Sequence, residues 1–331
     1  MSLRLLEVIV PRDALPELTE ELANDGVLGV WNSEVGDARA LVRVLVHAEG
    51  TEGLTDKLVS RFSEDPDFRM MLFMVEATLP AVEEEEEQEQ EQPAPHKRKG
   101  PLRISREELH HDLSDAARIS PVYLTTVALS TLVAAVGLLN SSVAVVIGAM
   151  VIAPLLGPNV ALSLASTLGD VDLARKALKT NIAGVGTALT LSVVVGLLLP
   201  VDPTVQEIAS RTSVGLGDIV LALSAGAAGT LAFTQGLSAA VIGVMVAVAL
   251  LPPLVAAGLL LGSGNLDLAY AAFLLVAVNV ACVNLAGVVT FLAQRVQPRT
   301  WWETERAKKA AKIAVASWIG MVLFLVLLVL L

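Results

Sequence analysis

The chain has 331 residues, 54% hydrophobic and 17% charged, with a mean hydropathy of +0.66, whereas soluble globular chains carry about 45–50% apolar and about 25% charged residues. That is the composition of a membrane protein. The single cysteine, Cys282, lies in an apolar run and excludes a disulfide framework and any multi-cysteine metal site, and all four histidines precede residue 112. Of the net charge of −11, seven negative charges belong to one run from Glu83 to Glu91, so the balance mostly describes a linker and does not indicate a nucleic-acid partner.

In chain order, the start lacks a basic segment followed by an apolar one, so no secretory signal is read and the amino terminus is expected in the cytoplasm. Residues 3–10, 26–33, 39–47 and 70–77 carry strand patterns, and 12–24 and 51–63 carry helical spacing with start signals. The order βαββαβ predicts a ferredoxin-like cytoplasmic domain over 1–80. Ligand-sensing and assembly domains share this order, so the fold leaves both roles open. Residues 81–100 (AVEEEEEQEQEQPAPHKRKG) read as a solvated tether, too poor in apolar surface to fold. An amphipathic juxtamembrane segment follows over 101–118. The basic residues Lys97, Arg98, Lys99, Arg103 and Arg106 are expected to meet anionic headgroups, and His110 with His111 reads as a surface feature.

A span needs roughly 20 apolar residues. Seven segments qualify: 121–139, 142–168, 180–199, 216–235, 238–262, 268–292 and 313–331. Lysine and arginine gather at Arg175, Lys176 and Lys179 and again between Arg295 and Lys312, whereas the alternate connections hold only Arg211. With these basic loops cytoplasmic, the carboxy terminus is external, and Trp301 and Trp302 sit at headgroup level.

Shifting the chain by 95 residues aligns 144–174 with 239–269, with sixteen of thirty-one positions identical and no gap. Three spans per copy place the second copy upside down, which makes a 3+3 inverted repeat. Residues 119–210 form the first copy, 211–292 the second, and 293–331 a basic cytoplasmic loop with the terminal span. Inverted repeats commonly hold a site near the midplane, built from discontinuous helices. The interrupted spans here carry Pro154 and Pro158 in one copy and Pro252 and Pro253 in the other. Each proline frees a carbonyl that hydrocarbon cannot satisfy. The competing reading is a pair of structural kinks.

Asp218 is the only acid close enough to the hydrocarbon to be costly there, so it is the first-choice functional residue, expected to bind a proton or cation. A structural ion pair with Arg211, seven residues earlier, is the alternative. Asn159, Asn279 and Asn284 are polar groups in apolar runs, suited either to interhelical hydrogen bonds or to a solute. A second match, TNIAGVGTAL from Thr180 against VNLAGVVTFL from Val283, aligns Asn181 with Asn284 only by adding eight residues to the second copy. No Walker loop, GxSxG elbow or dinucleotide fingerprint is present, so neither catalysis nor a cofactor or bound metal is expected.

The combination IGAMVIAPLLGP (147–158), RTSVGLGD (211–218), ALSAGAAG (222–229), VALLPPL (248–254) and VNLAGV (283–288) resembles the hydrophobic membrane family called domain of unknown function 389. The resemblance spans about 115–292 and implies a prokaryotic multi-pass inner-membrane protein, without implying an activity. It marks Pro154, Pro158, Arg211, Asp218, Pro252, Pro253 and Asn284 as positions of interest. The sequence thus predicts an α-helical polytopic membrane protein of seven spans with a small ferredoxin-like domain. The expected function is movement of a small solute or ion across the bilayer, by a homo-oligomer favoured by small-residue faces. The rival is a non-transporting sensor or scaffold whose head binds a ligand or partner.

Overall fold

The computed structural model describes residues 3–23, 27–75, 78, 104–236, 250–297 and 301–330. The chain divides into two compact units, Met1–Glu107 and Glu108–Leu331. In the first, β1 (Leu3–Pro11), α1 (Leu15–Ala23), β2 (Gly29–Val35), β3 (Arg39–His47), α2 (Ala48–Phe62) and β4 (Arg69–Val75) follow in order. The sheet runs β2-β3-β1-β4, every pair antiparallel. This is the arrangement expected of a βαββαβ unit.

Alternation explains the core. β1 turns Leu6, Val8 and Val10 inward while its odd-numbered residues stay half-buried, as a period of two requires. They pack with Val42, Val44 and Val46 of β3, Leu18 and Leu22 of α1, and Leu54, Leu58 and Phe62 of α2. Outside this core, Arg39 pairs with Asp65 and with Asp67. The tether at 81–100 lies outside the described residues.

The second unit is helical: α3 (Arg106–Ala116, beginning in the first unit), α4 (Pro121–Leu139), α5 (Val143–Ile152), α6 (Leu156–Leu168), α7 (Val171–Leu198), the short α8 (Gln206–Ala209), α9 (Leu216–Thr234), α10 (Leu251–Gly262), α11 (Leu266–Ala293) and α12 (Trp301–Leu330). Local chemistry sets the ends. Ser120 caps α4 by accepting from the Tyr123 amide, with Pro121 in the first turn, where its missing donor costs nothing. Asp170 caps α7 by accepting from the amides of Asp172 and Leu173, each at 3.0 Å. Gly169, at φ +70°, ends α6 in the left-handed region that glycine enters without steric cost.

Among the described residues, four helices (α4, α7, α9 and α11) are long and apolar enough to cross a bilayer. The bent pair α5 and α6 makes a fifth if it is one span, and α10 is a shorter apolar helix. Of the other expected spans, residues 238–249 fall outside the described residues, and the last, 313–331, coincides with the later part of α12.

The helix bounds keep a 95-residue spacing. α4 and α9 both have 19 residues and begin at 121 and 216; α7 and α11 both have 28 and begin at 171 and 266. Left-handed backbone occurs at Ser141 and Gly236, and again at Gly169 and Gly264, at the same spacing. Packing follows suit, because Gly258 lies against Ser192 and Gly287 lies against Ser163. Those two pairs exchange when each residue is moved by 95.

Candidate functional site

Between α5 and α6 the helix axis bends by 52° at a break that holds Pro154. Ala153 is extended there, which the position before a proline favours. Pro158 is buried one turn into α6. The break borders a cavity of about 400 Å³, lined chiefly by apolar groups such as Val151, Ile152, Leu156 and Phe233, with Tyr123 and Arg118 at its polar parts. Pro252 and Pro253 are buried in the first turn of α10, which tolerates proline. Residues 237–249, ahead of this helix, are outside the described set, so only the first of the two expected breaks is on view.

Just past the break, three asparagines from three helices join in one network. Asn284 Nδ2 (α11) donates to Asn159 Oδ1 (α6) at 3.0 Å, and Asn159 Nδ2 donates to Asn181 Oδ1 (α7) at 3.0 Å. Backbone carbonyls fix the direction: Asn284 Nδ2 also donates to Val280 O and Asn159 Nδ2 to Leu155 O, both at 2.9 Å. Ser163 Oγ lies within 3.3 Å of Asn159 O, Asn284 O and Asn284 Oδ1 and can serve one acceptor at a time. Asn159, Ser163 and Asn284 are fully enclosed. Asn181 is half-buried, and its amide nitrogen has no acceptor among the described residues. Thus one pair of N–H groups is left open at the end of the chain of amides.

Moving the three asparagines by 95 residues gives Leu254, Val276 and Leu189. These side chains lie in the main hydrophobic core of the unit. The network therefore occurs on one side only. It also corrects the eight-residue shift that aligned Asn181 with Asn284. The helix bounds keep the gapless spacing, and the two residues meet through Asn159 rather than matching each other.

Asp218 has a local task. As the third residue of α9, it accepts at Oδ2 from the Gly215 amide at 2.9 Å and so satisfies the amide at the N-cap. No ion pair between Arg211 and Asp218 forms among the described residues, since the carboxylate is turned back onto the start of its own helix. Sequence reasoning gave least weight to Asn181 and gave none to Ser163. His110, read from the sequence as a surface feature, has its Nε2 2.9 Å from Asp170 Oδ2 across 60 residues, a contact that no spacing rule announces. Burial acts to raise the Asp170 carboxyl, but the Leu173 amide, His110 and the Asp172 amide together hold it below the ordinary aspartate value. Among the described residues no group of three or more His, Cys, Asp or Glu side chains could hold a metal.

A bundle of apolar helices broken by proline between α5 and α6, with enclosed amides beside the break, defines the class: a polytopic helical membrane protein. The profile described as domain of unknown function (DUF389) matches residues 150–285. An uncharacterised protein of Methanocaldococcus jannaschii is 36% identical over 330 residues, covering 99% of each chain. No solved structure matches. The chain belongs to the DUF389 family.

Proposed function

We propose that this protein moves a small polar solute or an ion across the membrane through the locus where α6, α7 and α11 meet beside the Pro154 break. One observation carries the reading: Asn159, Asn181 and Asn284 form an enclosed amide network in helices of membrane-spanning character. Asparagines in membrane helices face other helices or a polar cavity rather than lipid, and here one amide of the network is left with open donors. The open Asn181 amide donates, and no carboxylate belongs to the network. This favours a solute offering hydrogen-bond acceptors, neutral or anionic, over a divalent cation.

The 95-residue spacing of helix bounds and left-handed residues supports an inverted repeat, the architecture in which two halves rock about a central site. In this reading the basic loops and the amino-terminal unit are cytoplasmic in a prokaryotic inner membrane. Pro252 and Pro253 then mark the matching locus of the second copy. The protein acts without catalysis, self-association joins small-residue faces, and the amino-terminal unit regulates flux.

Purified protein in liposomes under imposed proton, sodium, potassium and chloride gradients, and with small organic solutes, tests this. Flux in the parent that Asn159→Leu and Asn284→Leu abolish is the expected result. Flux unchanged in both variants removes the locus. Cysteines at 154 and 252 that resist water-soluble labelling from both sides favour the sensor or scaffold instead.

A further inference from the structure

A second cavity, about 430 Å³, lies between the start of α7 and the stretch from Ser114 to Ile119 that joins α3 to α4. Lys176, Lys179 and Thr180 enter it from α7, because residues three and four apart share one side of a helix. Arg118 enters from the opposite wall. None of the three cations makes a side-chain hydrogen bond or ion pair among the described residues, whereas neighbouring Arg175 lies 3.6 Å from Asp172. The only acid in the lining is Asp115, whose Oδ2 lies 3.7 Å from His111 Nε2. Thr180 Oγ1 donates to Ala117 O at 2.6 Å and holds the two walls together, so the cavity has a fixed floor.

Three unpaired cations around one space repel one another, and an anion there removes the repulsion. The mixture suits phosphate: the planar guanidinium can bond two oxygens at once, and the two ammonium groups act as compact charges on flexible stems. Lys176 and Lys179 precede the uninterrupted apolar part of α7, so the cavity opens at the level of a membrane surface, where long basic side chains reach towards headgroups. We infer that this cavity binds a phosphate-bearing anion through Arg118, Lys176 and Lys179. Arg118 also borders the cavity at the Pro154 break, so the inference is tested by binding, which needs no flux.

The source is either an anionic lipid headgroup or a soluble phosphate compound, and binding separates them. Full-length protein in phosphatidylcholine nanodiscs is titrated with pyrophosphate and, separately, with short-chain phosphatidylglycerol. The variant R118Q/K176Q/K179Q is compared with the control R295Q/K309Q/K312Q, which removes the same number of charges elsewhere, with helical circular dichroism checking that both fold. At about fivefold per cation near a membrane surface, the site variant should bind roughly a hundredfold more weakly. The control should stay within about twofold, because it removes only screened, diffuse attraction. K176R/K179R should retain binding. Pyrophosphate binding assigns a soluble ligand, and phosphatidylglycerol binding without it assigns a headgroup. Binding of neither probe by the parent, or equal loss in both triple variants, overturns the proposal.

Discussion

Replacing Gly196 by alanine would press a methyl group into the backbone of a neighbouring helix. A Cβ on Gly196 in α7 would lie 2.3 Å from Leu259 O and 2.9 Å from Leu259 C and Cα in α10. These gaps are short of ordinary contact by up to about 1 Å, and the obstruction is main chain, which cannot swing aside as a side chain can. Overpacking of this kind costs about 1–3 kcal/mol. Gly186 is the internal control, because it sits on the same helix with nothing within 4 Å of its added Cβ. There alanine should stabilise by up to about 1 kcal/mol, through helix propensity alone. The two variants should therefore differ by roughly 1–4 kcal/mol in unfolding free energy. Titration with sodium dodecyl sulfate in mixed micelles, followed by far-ultraviolet circular dichroism, measures the difference. A Gly196→Ala protein as stable as the parent, or a Gly186→Ala protein equally destabilised, would refute the packing of α7 on α10.

Asn159→Leu breaks two bonds between helices, and at about 0.6 kcal/mol for an average bond inside a bilayer it should lower stability by roughly 1–2 kcal/mol. The same denaturant titration checks it, and a loss beyond about 4 kcal/mol would mean that the amides carry the fold. Asp170→Ala removes the cap of α7 and should cost about 1 kcal/mol at neutral pH. The Asp170 carboxyl sits below its ordinary value in the folded protein. Its contribution is therefore present above the unfolded value and fades as pH falls through the folded value. The gap between parent and variant should close in acid, and a gap that widens there contradicts the assignment. Ser141 stands at φ +51°, a region costing a non-glycine residue about 1–2 kcal/mol. Ser141→Gly should accordingly raise the thermal midpoint, whereas a lower midpoint would show that the serine side chain holds its turn.

Where the sequence was legible, the signal was local. The apolar run of strand length in LRLLEVIV places β1, and paired strand and helix patterns give the βαββαβ order found in the first unit. Pro154 and Pro158 announce an interruption, and the bend falls there because neither position can donate to the preceding turn. The gapless match of 144–174 with 239–269 anticipated helix bounds that repeat at the same spacing. Asp218 stands out in the sequence because a carboxylate beside an apolar run looks costly, while its partner in the structure, the Gly215 amide, is a backbone group without a side-chain signature. Asn159 and Asn284 are 125 residues apart and meet only once three helices are packed, so no spacing rule links them. The shared Asn-x-Ala-Gly-Val phrase at Asn181 and Asn284 suggested equivalence by composition, whereas the helices pair Asn181 with Val276.

Geometry duplicated while chemistry was not: amides line one side of the bundle and hydrocarbon lines the other. Letting water reach Asn159 and Asn284 exchanges hydrogen bonds for hydrogen bonds. Letting water reach Leu254 and Val276 exposes apolar surface at about 25 cal/mol per Å². Under the proposed transport reading, two openings that differ in this way would not be equally populated, and the bundle would favour hydration on its asparagine side. Amide hydrogens of α6 near Asn159 should then exchange with deuterium sooner than those of α10 near Leu254, and equal protection would speak against that bias.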